Sequence, residues 1–142
     1  MSFALDVDSV ISRATFNDQG LLPAIIQQFD TSEVLMLGWM DAEALRRTYT
    51  SGRVTFWSRS RQEYWRKGDT SGHAQFVRAA ALDCDGDTLL VTVEQVGVAC
   101  HTGTRTCFDG DVLAPETGFA SRAGSEIHTE TSPDSGITAG PE

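Results

Sequence analysis

The chain has 142 residues, a length that suits one domain able to bury a core without disulfides. Its formal net charge of −9 leaves no excess of Lys and Arg for a nucleic-acid or anionic-membrane surface. No apolar run approaches the ~20 residues that span a bilayer, and the opening MSFALDVDSVISR has acids where a secretory leader has basic residues, so a cytoplasmic protein is expected.

Leu5 to Thr15 reads as a short helix, with Asp6 or Asp8 near its N-terminus to offset the helix dipole. Asn17-Asp18-Gln19-Gly20 is a turn signal. LLPAIIQQF then reads as a strand, with Pro23 near its start where a missing donor is tolerated. Asp30-Thr31-Ser32 turns the chain into a second strand, EVLMLGWM, so the pair predicts a hairpin. Asp41 is a good N-cap for a helix over Ala42 to Tyr49, and Gly52 a suitable terminator. VTFWSRS returns to a strand. The polar stretch Gln62 to His73, with Gly68, Asp69, Ser71 and Gly72, predicts a loop. QFVRAAAL and TLLVTVEQV are two further strands flanking Asp83-Cys84-Asp85-Gly86-Asp87, where Asp-Gly signals a hairpin. The expected class is α+β: a small, mostly antiparallel sheet with short helices.

The composition changes at Pro115. The last 28 residues hold three of the four prolines, eight Ser or Thr, and only Phe119, Ile127 and Ile137 as large apolar side chains. Such a segment buries too little apolar surface to offset its ordering entropy. The expected organisation is a domain over residues 1–114 and a flexible polar tail over 115–142.

Three cysteines cannot all pair within one chain, and in a cytoplasmic protein they should stay reduced. Their spacing, Cys84-x15-Cys100-x6-Cys107, is not the paired C-x2-C of a zinc ribbon, but their number is informative. Structural zinc sites close with four protein ligands, whereas catalytic sites keep three and leave one place open. Thiolates select zinc over magnesium or calcium. His101 or His73 are alternative fourth ligands. If the stretch is extended, His101 points away from Cys100, which disfavours it. Strand-like alternation would likewise put Asp83, Asp85 and Asp87 on one side and Cys84 on the other. Carboxylates at that spacing suit magnesium, although Asp is common in hairpin turns.

Basic residues are concentrated: Arg53, Arg59, Arg61, Arg66 and Lys67 place five of the eleven within fifteen positions. On an acidic protein such a patch suits a small anionic ligand. The loop KGDTSGH adds Lys67, Thr70, Ser71 and backbone N–H groups beside Gly68 and Gly72, groups of the kind that hold phosphate, without forming a Walker loop.

The stretches LGWMDAEAL, TFWSRSR, YWRKGDTSGHAQ, LDCDGDTLLVTVEQ and ACHTGTRTCF, in this order, resemble the phosphoribosyl-AMP cyclohydrolases of histidine biosynthesis. The resemblance runs from about Leu21 to Phe108. It implies hydrolysis of the purine ring of phosphoribosyl-AMP between N1 and C6, zinc and magnesium as cofactors, and an intertwined homodimer. Its active sites would lie at the subunit interface, with zinc cysteines from both chains. By match to the motifs, Cys84, Cys100 and Cys107 would be zinc ligands, and Asp83, Asp85 and Asp87 magnesium ligands. His101 is then the candidate proton carrier, because imidazole titrates near the operating pH. The candidate substrate contacts are Arg59, Arg61, Trp65, Lys67, Thr70, Ser71, His73 and Arg105. Trp57 is a further ring able to stack on a purine or pack in the core. Val98 and Thr104 stand where the family more often has Pro and Arg. The Thr104 difference leaves Arg105 as the nearby phosphate-binding candidate. The tail is too short and polar for the pyrophosphohydrolase domain fused to some relatives, so a monofunctional chain is expected. Two other readings compete: a thiolate-zinc module that binds a partner, and a nucleotide deaminase that releases ammonia.

Overall fold

The computed structural model describes residues 6–114, so the expectation for the 115–142 tail lies outside the described residues. The first helix, α1 (Val7–Arg13), starts where Asp6 accepts the Ser9 N–H at 2.8 Å. Strand β1 (Leu22–Gln28) buries Leu22, Ala24, Ile26 and Gln28 at alternate positions, the period-2 pattern of a sheet with one face on the core. It pairs antiparallel with β2 (Val34–Met40), as the hairpin signal predicts. Asp41 caps α2 (Ala42–Ser51) by accepting the Ala44 N–H at 2.8 Å. Gly52, in the left-handed region with φ 75°, ends that helix and returns its N–H to the Thr48 carbonyl.

Beyond α2 the structure corrects one expectation. Gln62 to His73 is not all loop: β4 (Glu63–Arg66) occupies part of it and pairs antiparallel with β3 (Thr55–Ser58). Flanking polar residues hide a Tyr-Trp pair. Trp65 packs on Phe56 with ring centroids 4.8 Å apart, and Tyr64 meets Trp57 edge-on at the same distance. Cross-strand aromatic contacts of this kind stabilise a short ribbon whose outer positions are polar.

Strands β5 (Gln75–Leu82) and β6 (Leu89–Gln95) form the second hairpin. The four-stranded sheet has the order β2-β1-β6-β5. Among the described residues, three of the four strand pairings are antiparallel; the exception joins β1 to β6 in parallel. The core lies between this sheet, α2 and the β3–β4 ribbon, and is built on Leu22, Ile26, Leu35, Met40, Leu45 and Phe56. Gly38 in β2 is required there, because a Cβ at that position would overlap the Phe56 ring. Among the described residues, no helix is long and apolar enough to cross a membrane.

Candidate metal centre

The β5–β6 hairpin tip carries the acidic triplet, at the turn that the Asp-Gly pair predicts, and it is the strand-like alternation that the structure does not show. Asp83 to Asp87 form a tight turn, not an extended strand. The Gly86 N–H bonds the Asp83 carbonyl at 3.1 Å, and the Asp83 carboxylate accepts the Asp87 and Thr88 N–H groups at 3.1 and 3.3 Å. The turn, rather than strand alternation, gathers Asp83, Asp85 and Asp87, each with a carboxylate oxygen within 4.8 Å of the others. The segment after α1 braces this tip. Thr15 donates its N–H to the Gly86 carbonyl at 2.7 Å, and Gly86, with φ 77°, packs against the Arg13 carbonyl.

Three like charges so close cannot all ionise freely. Partial desolvation pushes the Asp83 carboxyl up, but hydrogen bonds from Asp85, Asp87 and the two N–H groups outweigh it, leaving its pKa low. The Asp87 carboxyl is raised, first by its hydrogen bond with Asp85 and then by desolvation. A divalent cation relieves such a conflict, and oxygen donors in this arrangement fit a hard metal. Cys84 is exposed on the same turn and borders a cleft of about 580 Å³ shared with Val10, Arg13 and Tyr49.

Cys100 and Cys107 lie in a second loop, after β6. This stretch is a turn rather than extended backbone, which removes the sidedness argument against His101. Ala99 donates to the Arg105 carbonyl at 3.0 Å, Cys100 to the Thr104 carbonyl at 3.2 Å, and Gly103 back to the Cys100 carbonyl at 3.0 Å. The fold-back turns the chain so that Cys107 returns toward Cys100, near enough for each thiol to shift the other's ionisation. The Cys100 Sγ lies 3.0 Å from the Thr102 hydroxyl. Hydrogen bonds from the Thr102 hydroxyl and N–H, then from the Thr104 hydroxyl, bring the Cys100 pKa down to about 6. Local desolvation pushes the Cys107 thiol up, although the residue as a whole is exposed. Cys100 pushes the same way and Lys67 opposes. Two cysteines on one folded-back loop form a donor pair suited to a soft cation.

Cys84 is not part of that pair. The Cys107 N–H bonds the Leu35 carbonyl of β2 at 2.8 Å, whereas Cys84 sits at the β5–β6 turn across the sheet. From β2 to β5 is three strand spacings, roughly 14 Å at ~4.8 Å each. The Leu89 end of β6 is level with Ala24 and Gly38, about three residues or ~10 Å along β2 from Leu35. Two sulfurs on one zinc ion lie within about 4.6 Å of each other, twice a Zn–S bond. Among the described residues, the only close group of three metal-ligating side chains is the aspartate triplet.

The remaining predicted residues fall in different places. Arg59 and Arg61 are exposed; Arg59 stacks over Trp39 at 4.6 Å and Arg61 pairs with Glu63 at 3.4 Å. Arg59 and the half-buried Trp57 also line a cleft of about 550 Å³ with Trp39, Asn17, Asp41 and Gln62. Trp65 is half-buried against Phe56. Thr70 and Ser71 are exposed. His101 is exposed on the turn directly after Cys100. Arg105 is bound to Glu33 at 2.6 Å. Lys67 is buried, and its Nζ donates to the Ala99 carbonyl at 2.6 Å. The His73 ring packs against Gly97. Sequence reasoning missed Thr102, Glu33 and Leu35. The first is visible as the hydroxyl two residues from Cys100; the others act through tertiary contacts with no local signal.

Comparison with known proteins agrees with the motifs. The family described as phosphoribosyl-AMP cyclohydrolase matches residues 36–109. A phosphoribosyl-AMP cyclohydrolase of Clavibacter michiganensis is 78% identical over 113 residues, covering 80% of this chain and 86% of that protein. One from Leifsonia xyli is 72% identical over 112 residues, covering 79% and 90%. One from Streptomyces coelicolor is 70% identical over 104 residues, covering 73% and 81%.

Proposed function

The chain belongs to the phosphoribosyl-AMP cyclohydrolase family, hydrolases of histidine biosynthesis, and from that premise we propose that it opens the purine ring of phosphoribosyl-AMP at a zinc site assembled from two copies of the chain. The observation that carries this reading is the division of the cysteines: two on one folded-back loop after β6, and a third exposed at the far hairpin tip. A homodimer that sets one copy's Cys84 against the other's Cys100 and Cys107 completes a three-thiolate site. Exposed apolar side chains, among them Leu37, Phe76 and Phe108, supply surface for such a contact.

A zinc ion held by the three thiolates would supply the Lewis acidity that makes water nucleophilic near neutral pH. His101, exposed beside Cys100, accepts the proton as water adds to C6. The adduct is tetrahedral, as in the zinc nucleobase deaminases. The N1–C6 bond then breaks, its electron pair stays on N1, His101 returns the proton there, and the C6 hydroxyl gives its proton to solvent as the carbonyl forms. The exocyclic nitrogen remains as the carboxamide nitrogen, so no ammonia leaves. A magnesium ion on Asp83, Asp85 and Asp87 would offset the negative charge that an acidic protein presents to a bisphosphate. The exposed Arg59 and Arg61 guanidinium groups and the exposed Thr70 and Ser71 side chains are suited to phosphate oxygens. Arg105 is held by Glu33, which ties the cysteine loop to the start of β2. His73 packs as a support of that loop.

The test is a spectrophotometric assay of ring opening with purified protein, with and without a zinc chelator. Ring opening lost with the chelator and restored by zinc supports the reading. Ring opening that persists in metal-free protein, or release of ammonia, refutes it.

A further inference from the structure

Lys67 is the only lysine in the chain; the other ten basic residues are arginines. It is 8% exposed, which is costly for an ammonium unless it is compensated. Among the described residues, no carboxylate forms a salt bridge with it. Its compensation comes from the cysteine loop. The Nζ donates at 2.6 Å to the carbonyl of Ala99, the residue before Cys100, and the charge lies near the Cys107 thiol.

The loop that carries Lys67 is built around this contact. Gly68, with φ 91°, packs so closely on the Ala74 backbone that a Cβ there would overlap it. The Gly72 N–H closes on the Gly68 carbonyl at 2.8 Å. Val96 donates its N–H to the Ala74 carbonyl at 2.9 Å, and the His73 ring fills the space beside Gly97. Residues 67–74 therefore grip residues 96–99 at three points, while Thr70 and Ser71 stay exposed.

We infer that Lys67 is a positioning residue for the cysteine pair: it fixes the Ala99 carbonyl, and with it the start of the loop that carries Cys100 and Cys107, and it does not contact substrate. The inference rests on the zinc reading above. Outer-shell groups that orient metal ligands typically contribute about 10–100-fold to metal affinity. A substrate-binding lysine would instead act on KM.

The experiment compares wild type, Lys67→Met and Lys67→Arg in zinc titrations against a chromophoric chelator, then measures kcat and KM at saturating zinc. The expected result is about 10–100-fold weaker zinc binding in Lys67→Met, partial recovery in Lys67→Arg, and KM for phosphoribosyl-AMP within about twofold of wild type. Unchanged zinc affinity overturns the inference, whether or not KM rises. A second arm uses the wild-type protein, because a sole lysine reports without ambiguity. Acetic anhydride should modify Lys67 far more slowly than the terminal amine; equal rates refute burial and the inference with it. This arm decides the matter if Lys67→Met does not fold. A wild-type protein that takes up no zinc removes the zinc reading, an outcome distinct from a wild type and a variant that bind zinc equally.

Discussion

If the zinc site joins two chains, two inactive variants should repair each other. Cys84→Ser removes the thiol at the hairpin tip, and Cys100→Ser removes one of the pair after β6. Within one chain these positions are separated by three strand spacings, roughly 14 Å, plus ~10 Å along the strands, against about 4.6 Å for two sulfurs on one zinc. No side-chain rotation closes that distance. In a symmetric homodimer each site takes Cys84 from one subunit and Cys100 and Cys107 from the other. A mixed dimer of the two variants then has one intact site and one lacking both thiols. Random reassortment of equal amounts gives half mixed dimers, hence about a quarter of wild-type activity and zinc. The assay is co-refolding of the two variants from denaturant, followed by ring-opening rate and zinc content per chain. Each variant refolded alone should show neither activity nor stoichiometric zinc. A mixture no more active than its components would refute a shared site.

Tyr64 donates its hydroxyl to Asp41 at 2.6 Å, and Asp41 also caps α2. Tyr64→Phe should lower stability by about 1–2 kcal/mol in urea unfolding, the range for a hydrogen bond to a charged group at a partly exposed site. Desolvation, then the bond to Asp41, pushes the Tyr64 pKa up to about 12. A folded pKa above the unfolded ~10 means that stability is complete below pH ~10 and is lost as pH rises toward 12. The loss should stay under about 3 kcal/mol, since two pKa units at ~1.4 each is an upper limit for a half-buried ring. Tyr64→Phe should flatten that part of the pH profile, and an identical alkaline limb in both proteins would count against it. Gly38→Ala should cost about 1–3 kcal/mol, because its methyl group meets the Phe56 ring; an unchanged urea midpoint would contradict the packing. Asp85→Asn should raise the magnesium concentration needed for half-maximal activity and leave zinc content unchanged, and an unaltered magnesium titration removes the carboxylate site.

The sequence was most legible where local chemistry and tertiary structure agree. Asp6, Asp41 and Gly52 cap helices for reasons contained in a few residues, and β5 coincides with the predicted QFVRAAAL. It was least legible where one residue answers to a distant partner. The strand β4 lay hidden because its aromatic pair is supported by Phe56 and Trp57 across the ribbon, not by its own polar neighbours. The acidic triplet was found for an incomplete reason: alternation predicts a shared face, but a turn held by the Asp83 carboxylate gathers the three side chains. Such a turn can gather ligands that a strand would splay, since strand residues two apart are separated by about 7 Å. The same logic applies to Lys67. In sequence it stands among arginines and glycines and reads as a phosphate ligand, and only the path of the chain after β6 reveals the Ala99 carbonyl it serves. A charge in a glycine-rich loop thus has two possible tasks, binding a ligand or holding a neighbouring loop, and the zinc affinity and KM of Lys67→Met distinguish them.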